Sequence, residues 1–346
     1  MKMTPALLVV GALLVFWSAV FVAVLLPAMT MQDANSEIWR PWNDKEAAGH
    51  KLYNDNGCSY CHSQFVRTVD WDLGAQRIAE RGDYVGMEPI ILGTERTGPD
   101  LSQEGGEHPD DWHVAHFINP RLTRPMSLMP SWEFLGPDAL EKLTAYMQSE
   151  GGTMAQYRME APGRGQNWWK EKAVAAYNRG PDENIEWVHS NVPQVWRDMP
   201  NPYPATPVDL ARGKAIYQDF CINCHGPVGD GQGPAARYLK PPPLNFTLLR
   251  RHLAGGKYIG GILYYQIMNG ITGTAMPYFK RELESEKIWD VSNYVAVTFI
   301  GYTDATLPPR GIVAAYEGPY VNPYSPPQTQ PAQTQPAGPT TQRSGP

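Results

Sequence analysis

The chain has few cysteines and no excess of basic charge. Four of its 346 residues are cysteine, and 29 Lys and Arg face 35 Asp and Glu, which gives a net charge of −6. This acidic balance argues against a protein that binds nucleic acid through its phosphates. All four cysteines lie in two short motifs, so no thiol remains for a disulfide or for a separate zinc site.

Long apolar runs are also scarce, and the one that stands out lies at the N-terminus. Leu7 to Leu26 is interrupted only by Gly11 and Ser18. A helix needs about 20 such residues to cross a bilayer, whereas the apolar region of a signal peptide has about 7–15. Because residues 27–30 also make a poor cleavage site, we predict an uncleaved anchor within residues 1–30.

Charges beside this run predict its orientation. Lys2 is the only charge before it, and Asp33 and Glu37 follow it. The positive-inside rule then leaves the N-terminus in the cytoplasm. We therefore expect a single-pass protein of the bacterial inner membrane with all later residues on the periplasmic side.

The four cysteines form two C-x-x-C-H motifs, Cys58–His62 and Cys221–His225. This spacing is the attachment signature of haem c. Two thiols add to the two vinyl groups of one haem, and the histidine that follows binds the iron. The motifs therefore predict two haems, held by Cys58, Cys61 and His62 and by Cys221, Cys224 and His225.

A lone C-x-x-C motif has other interpretations. It can be a redox dithiol or half of a zinc ribbon. Here the motif occurs twice and a histidine follows it each time. This repetition favours haem.

The first motif predicts a haem domain over residues 35–150. Asp44 is expected to cap a helix over residues 45–54, on which Gly49 and Tyr53 share a face. A small residue followed by an aromatic one suits the close crossing of the first and last helices in a cytochrome c. The last helix is predicted over residues 137–149, with Leu143 and Tyr146 facing inward.

The sixth iron ligand of this domain is predicted to be Met129. Met129-Pro130 precedes the last helix on an irregular loop, where a class I cytochrome c places its distal methionine. Met126 is the alternative, and Met87 is a more distant one. Methionine otherwise serves mostly as core filler.

Residues 207–303 repeat the pattern and predict a second class I cytochrome c domain. Gly213 and Tyr217 are again four residues apart, and Cys221 follows. Met276, in another Met-Pro pair, is the predicted distal ligand. Met268 is its alternative, but it falls inside a predicted helix over residues 262–269.

Other side chains of the first domain suggest weaker hypotheses. Arg67 and Arg96 are candidates to bind haem propionates, because charge-assisted hydrogen bonds to carboxylates are strong. Solvated arginines are the alternative. His113 and His116 have a spacing that suits a metal on a helix, but no convincing third ligand accompanies them.

The remaining segments are a connector and a tail. In the connector, residues 151–206, we predict an aromatic-rich helix over 166–179 and then an extended, stiff run over 199–207. That run should act as a tether. The tail, residues 304–346, becomes rich in Pro, Gln and Thr and is predicted to be disordered. The predicted fold class is mainly α.

The first 150 residues resemble a known family, the membrane-anchored mono-haem cytochrome c subunit (subunit II, O-type) of cbb3-type cytochrome c oxidases. Four motifs carry the resemblance in order: Gly57-Cys58-Ser59-Tyr60-Cys61-His62-Ser63-Gln64-Phe65-Val66-Arg67, Arg96-Thr97-Gly98-Pro99-Asp100-Leu101, Trp112-His113-Val114-Ala115-His116-Phe117-Ile118-Asn119-Pro120-Arg121 and Met129-Pro130. In that family the corresponding histidine and methionine are the axial ligands, which implies His62 and Met129. The second haem domain departs from the family pattern, because the usual subunit has one haem.

The resemblance also implies partners. It implies a catalytic haem-copper membrane subunit with b-type haems, and a calcium ion at the interface with that subunit, where Thr94 matches the family's hydroxyl residue. The electron donor would be a cytochrome c, a cupredoxin or a quinol-oxidising complex.

Histidine and methionine together leave iron no open position, so such a haem passes electrons rather than transforming a substrate. We therefore expect a di-haem electron-transfer subunit that is not an enzyme on its own. Its haems would carry electrons from the donor through the second domain, then the first, to the partner. The alternatives are the c subunit of a nitric oxide reductase or of a quinol-oxidising complex resembling alternative complex III, a free-standing anchored shuttle and a di-haem peroxidase.

Overall fold

The computed structural model describes residues 4–30, 34–73, 77–199, 201–203, 205–252 and 260–301. Within these residues the secondary structure is entirely helical, with no strand. The mainly α fold class is therefore confirmed there. The tail predicted to be disordered lies outside the described residues. We use "first half" for residues 34–149 and "second half" for residues 205–301.

The longer helices follow the chain in a simple order. They are α1 (Pro5–Thr30), α2 (Asp44–Asp55), α3 (Asp110–Ile118), α4 (Pro137–Ser149), α5 (Gly152–Glu160), α6 (Gln166–Arg179), α7 (Pro181–Ser190), α8 (Pro207–Phe220), α9 (Gly260–Asn269) and α10 (Ser285–Val295). Shorter α-helical turns are Gln194–Arg197, Ile222–His225 and Leu249–His252. Shorter 3-10 turns are Cys58–Tyr60, Thr68–Leu73, Arg81–Tyr84, Pro120–Leu122, Glu133–Leu135, Ala236–Tyr238 and Phe246–Leu248.

Helix α1 has the length and composition of a membrane span. It begins at Pro5, with Thr4 as its N-cap, and runs for 26 residues with none of its apolar window buried. A π-helical turn at Phe21–Leu25 interrupts it. At 1.5 Å per residue it is about 39 Å long, which exceeds the roughly 30 Å hydrocarbon core of a bilayer.

Helices α2 and α4 cross closely in the first half. The N-cap of α2 is Asn43, not Asp44, because the Asn43 side chain accepts the Lys45 and Glu46 N–H groups at 3.0 Å. A Cβ atom at Gly49 would overlap the Lys142 carbonyl oxygen. The predicted glycine crossing is therefore confirmed.

Helices α8 and α10 repeat this crossing in the second half. Thr206 caps α8, and a Cβ atom at Gly213 would overlap the Asp290 carbonyl oxygen. The rings of Tyr217 and Tyr294 lie 5.5 Å apart, and those of Tyr53 and Tyr146 lie 5.4 Å apart in the first half. The two halves thus share one helical frame.

The connector contains more helix than we predicted. Helix α6 has the predicted bounds, but α5 and α7 were not expected. The described part of the run over 199–207 is not helical before Pro207, and it does not stand free of the second half. The Asn201 amide is fully buried there and donates a hydrogen bond to the Asn293 side chain.

The two halves are in direct contact, so the expectation that the second half hangs from a tether is wrong. They share an apolar cluster, which we call the shared cluster. Its buried members are Trp112, Ala115 and Leu122 from the first half and Ala235, Leu239 and Ala275 from the second.

Candidate haem sites

The first C-x-x-C-H motif forms a short helical turn directly after α2. Gly57 adopts a left-handed conformation (φ 69°), which lets the chain leave α2 and begin the turn at Cys58. His62 then lies with its Nδ1 atom 2.9 Å from the Pro99 carbonyl oxygen. A carbonyl oxygen only accepts hydrogen bonds, so Nδ1 must carry the proton. The Nε2 lone pair is left for a metal.

Gly98 shows why the Gly-Pro sequence before that carbonyl matters. A Cβ atom at position 98 would overlap the imidazole ring of His62. The loop therefore reaches the ring only because residue 98 has no side chain. The Gly98-Pro99 pair thus lies against the histidine ring.

The second motif has the same arrangement around its histidine. The Nδ1 atom of His225 lies 3.1 Å from the Leu244 carbonyl oxygen, so Nε2 is again available. The His225 ring also stacks on Phe246 at 4.3 Å. Different sequences thus give the two histidines the same tautomer.

Burial keeps both histidines neutral near pH 7. It lowers the pKa of His62, although the Pro99 carbonyl opposes that shift. It lowers the pKa of His225 to about 4, and the Leu244 carbonyl again opposes it. Neutral imidazole is the form that binds iron, so both sites fit haem ligation.

No disulfide joins the cysteines of either motif. Burial raises the pKa of Cys58 and Cys224 to about 11 and that of Cys221 to about 12. Redox-active C-x-x-C motifs instead have a lowered thiol pKa. Across the described residues no group of three or more His, Cys, Asp and Glu side chains is arranged to hold a metal ion. Covalent haem attachment therefore fits these motifs better than the dithiol or zinc interpretations.

The two predicted distal methionines lie in matching turns. The Met129 N–H donates to the Ser127 hydroxyl, and the Met276 N–H donates to the Thr274 hydroxyl, both at 3.2 Å. Each methionine is half-buried and packs on the core of its own half. Their role as iron ligands stays a prediction that this similarity supports.

The alternative methionines differ in exposure. Met126 is 79% exposed, and Met87 is buried in the first half. Met268 lies within α9, as predicted, although that helix begins at Gly260. Of these three, none shares the hydroxyl-anchored turn of Met129 and Met276.

The structure gives Arg67 and Arg96 a common partner, Asp70. Arg67 Nε and Arg96 Nη1 lie 2.9 Å and 3.0 Å from its carboxylate oxygens. These two guanidinium groups hold the pKa of Asp70 well below its usual range. Arg96 also donates to the Ser63 hydroxyl and the Phe65 carbonyl, both at 2.7 Å. A propionate contact stays a prediction for both arginines.

The other candidate positions are brought to no common site. Thr94 is exposed, and its calcium contact stays a prediction. His116 binds the Thr123 hydroxyl at 2.7 Å and stacks on Trp112. His113 Nε2 lies 3.7 Å from Glu104 Oε1.

Sequence reasoning missed two kinds of functional residue. The carbonyls of Pro99 and Leu244 are backbone groups, which carry no residue-specific signal in the sequence. Contacts between the halves were also missed, among them those of Asn223, which lies within the second motif itself.

Comparison with known families gives two matches. Residues 1–179 match the family described as cytochrome c oxidase, mono-heme subunit/FixO, and residues 210–298 match the cytochrome c family. Comparison with curated proteins gives no match. One similar solved structure is the Kuenenia stuttgartiensis reducing HAO-like protein complex. The alignment covers 75% of this chain and 98% of the chain in that structure, at 18% sequence identity. Its TM-score is 0.24, too low to support an argument.

These matches agree with the geometry of both motifs. The first match spans more than half of the chain, including α1 and the first C-x-x-C-H motif. The protein therefore binds haem c covalently, and it is an electron-transfer subunit anchored in a membrane beside a catalytic oxidase subunit. The first match shows that the chain belongs to the FixO family of mono-haem cytochrome c oxidase subunits, and the second match adds a fused cytochrome c region.

Proposed function

We propose that the chain carries two haem c groups and passes electrons to the catalytic subunit of a cbb3-type oxygen reductase. The repeated arrangement of the two halves carries this proposal. In each half a histidine Nδ1 atom bonds a backbone carbonyl, at 2.9 Å for His62 and 3.1 Å for His225. A single-haem protein would need this arrangement only once.

Each half supplies a full set of haem-binding residues. Cys58 and Cys61 would attach the first haem, with His62 and Met129 as iron ligands. Cys221, Cys224, His225 and Met276 would do the same for the second. Haem iron with His and Met ligands accepts and releases one electron at a raised potential. The protein supplies position and burial, and oxygen chemistry belongs to the catalytic subunit.

The cbb3-type assignment is supported by the order of motifs in the first half. The attachment motif, the Arg-Thr-Gly-Pro motif, the Trp112–Arg121 segment and Met129-Pro130 occur in the same order as in that family. The catalytic partner would contain b-type haems and copper. The donor would be a cytochrome c, a cupredoxin or a quinol-oxidising complex, which delivers electrons to the second half.

The proposed location is the bacterial inner membrane. Lys2 precedes the anchor and acidic residues follow it, so the haem domains would lie on the periplasmic side. A calcium ion near Thr94 would belong to the interface with the catalytic subunit.

The test is a haem count and a difference spectrum on the complex purified gently through this chain. We expect two haems per chain by pyridine haemochrome assay. We also expect b-type signals, a CO-reactive centre and oxygen turnover. One haem per chain contradicts the di-haem proposal. Turnover of nitric oxide but not oxygen indicates a nitric oxide reductase, and c-type signal without a CO response contradicts the oxidase assignment.

A further inference from the structure

The second half rests on one face of the first. All six members of the shared cluster are buried, and Ala115 and Ala235 are fully so. Small side chains at these positions let the backbones of the two halves approach closely. Burial of all six side chains shields this contact from solvent, as in a protein core.

The shared cluster borders the haem-binding residues of both halves. Cys224 packs on it from the second motif, and Ala275 is the residue before Met276. Ile118, at the end of α3, packs both on the shared cluster and on the core that Met129 also contacts. Apolar packing therefore connects the second attachment motif with the methionine loop of the first half.

A polar link runs beside this packing. The Asn223 side-chain amide, between Cys221 and Cys224, donates a hydrogen bond to the Arg121 backbone carbonyl. The Arg121 guanidinium in turn donates to the Met129 carbonyl at 3.3 Å. One residue, Arg121, thus joins the second attachment motif to the predicted axial ligand of the first half.

Charged and polar side chains hold the contact at its margins. Arg124 pairs with Glu282 at 2.6 Å. The Asp111 carboxylate accepts the Lys240 N–H at 2.7 Å and pairs with Lys170 of α6 at 3.0 Å.

Gln166 connects the halves from inside the connector. Its amide group donates to the Gly106 carbonyl at 3.3 Å and accepts the Gly273 N–H at 2.8 Å. The residue is only 5% exposed. A buried amide with a partner on each side favours one relative position of the two halves.

We propose that this contact is the junction through which electrons cross between the halves, and that Asn223 and Arg121 are its positioning residues. The proposal rests on the proposed function, since it requires haem in both halves. One electron moves from a reduced second half to an oxidised first half, and no bond forms or breaks. Tunnelling rates fall steeply with distance, so a fixed junction sets a faster rate than a mobile tether.

The test uses the full-length, haem-loaded chain. After rapid partial reduction, freeze-quench EPR follows the two ferric signals and gives the rate of transfer between the halves. Asn223→Ala removes the link to Arg121, and we expect the rate to fall severalfold. Gln218→Ala is the matched control, because it removes an exposed amide from α8 in the same half.

A charge reversal gives a second, independent disruption. Arg124→Glu places two carboxylates together and should also slow the transfer. Arg124→Glu with Glu282→Arg restores opposite charges and should recover much of the rate. Hydrogen exchange at the Lys240 amide reports the docking itself, and it should quicken in the single variant and slow again in the double variant.

The outcomes separate this inference from the proposed function. One haem per chain in the wild type overturns both, and the haem count shows it directly. Two haems with unchanged transfer in both Asn223→Ala and Arg124→Glu overturn the junction alone. Retained absorption from Fe(III)–methionine ligation in Asn223→Ala shows that a slower rate reflects position rather than loss of the ligand.

Discussion

The two halves of the protein share a frame but differ in their surfaces. Both cross their first and last long helices at a glycine, Gly49 and Gly213. Among the described residues, the first half exposes several large apolar side chains, whereas the second exposes only Val208 and Val228. Those of the first half are Tyr60, Val69, Ile78, Ile90, Ile91, Met126, Leu128 and Phe134.

The difference in exposed apolar side chains indicates which half meets the catalytic subunit. The frame is repeated, as the proposal of one haem c in each half requires, because each half packs two helices closely at a glycine. Exposed large apolar side chains are candidates for an interaction surface. The first half is also the one that follows the anchor, so its surface is the one suited to the catalytic subunit.

The largest expected effect comes from the two predicted distal methionines. Met129→Leu and Met276→Leu should each lower the potential of one haem, by part of the about 0.8 V that axial ligands span. Each should also remove the weak Fe(III)–sulfur absorption near the red end of the visible spectrum, and only for the haem whose methionine is replaced. Redox titration of the full chain measures both effects. Leu replacements at Met126 and Met268 are the controls, and a normal spectrum in Met129→Leu would falsify its assignment.

The glycine crossings test the shared frame. Replacing Gly49 or Gly213 with Leu should destabilise its half by about 1–3 kcal/mol, because the new side chain meets a backbone carbonyl. Helix propensity favours Leu over Gly by less than about 1 kcal/mol, so the clash dominates. Thermal unfolding measures the effect. Ala47→Leu and Ala215→Leu, at exposed positions on the same helices, should be nearly neutral; equal effects at all four positions would contradict the crossing.

The apolar surfaces test the difference between the halves. Ile90→Ser and Phe134→Ser remove side chains that are 62% and 74% exposed. If each is buried against the catalytic subunit, its loss weakens binding by up to about 1.5–3 kcal/mol. Co-purification in detergent measures the association. Val208→Ser and Val228→Ser in the second half should leave it unchanged; equal losses from both halves would remove the distinction.

The smallest expected effect is a pH dependence of the first half. Burial raises the pKa of Glu104 and of Glu150 to about 8. In the unfolded chain both ionise near their usual pKa, so the folded state binds more protons between these values. The free energy of unfolding then falls as pH rises toward 8.

The effect of these two glutamates on the free energy of unfolding is clearest above pH 6.5. Below it, His113, whose pKa burial lowers to about 4, makes an opposite contribution. Between about pH 6.5 and 8, ionisation of each buried carboxyl lowers the free energy of unfolding by up to about 2 kcal/mol. Glu104→Gln and Glu150→Gln should flatten this dependence in urea unfolding, whereas Glu133→Gln, at an exposed position, should not. An unchanged slope in both variants would refute the buried-carboxyl account.

Periodic patterns predicted the frame well. The Gly-x-x-x-Tyr pairs and the bounds of α4 and α6 followed from residues close together in the sequence, and the structure confirms them. Helix α5 was missed, since its buried face includes Arg158. That residue is fully buried and donates to the Gly105 carbonyl at 2.6 Å. Sequence patterns assign arginine to the surface, so a buried arginine conceals a helix.

Partners far apart in the sequence were harder to predict. Arg67 and Arg96 were expected to bind propionates, and the structure pairs both with Asp70. Asp70 follows Arg67 by three residues, but Arg96 reaches it across 26. Nothing in the local pattern selects that partner over a cofactor or over water.

The sequence by itself determined the chemistry of attachment and the anchor. Each haem motif is complete within five consecutive residues, and the apolar run lies within one stretch of the chain, so neither depends on the fold. Only the tertiary structure decided which carbonyl fixes each histidine and how the two halves meet. Pro99 is 37 residues from His62, and Arg121 is 102 residues from Asn223. Contacts at such separations arise when helices pack, because packing depends on complementary surfaces that no local pattern encodes.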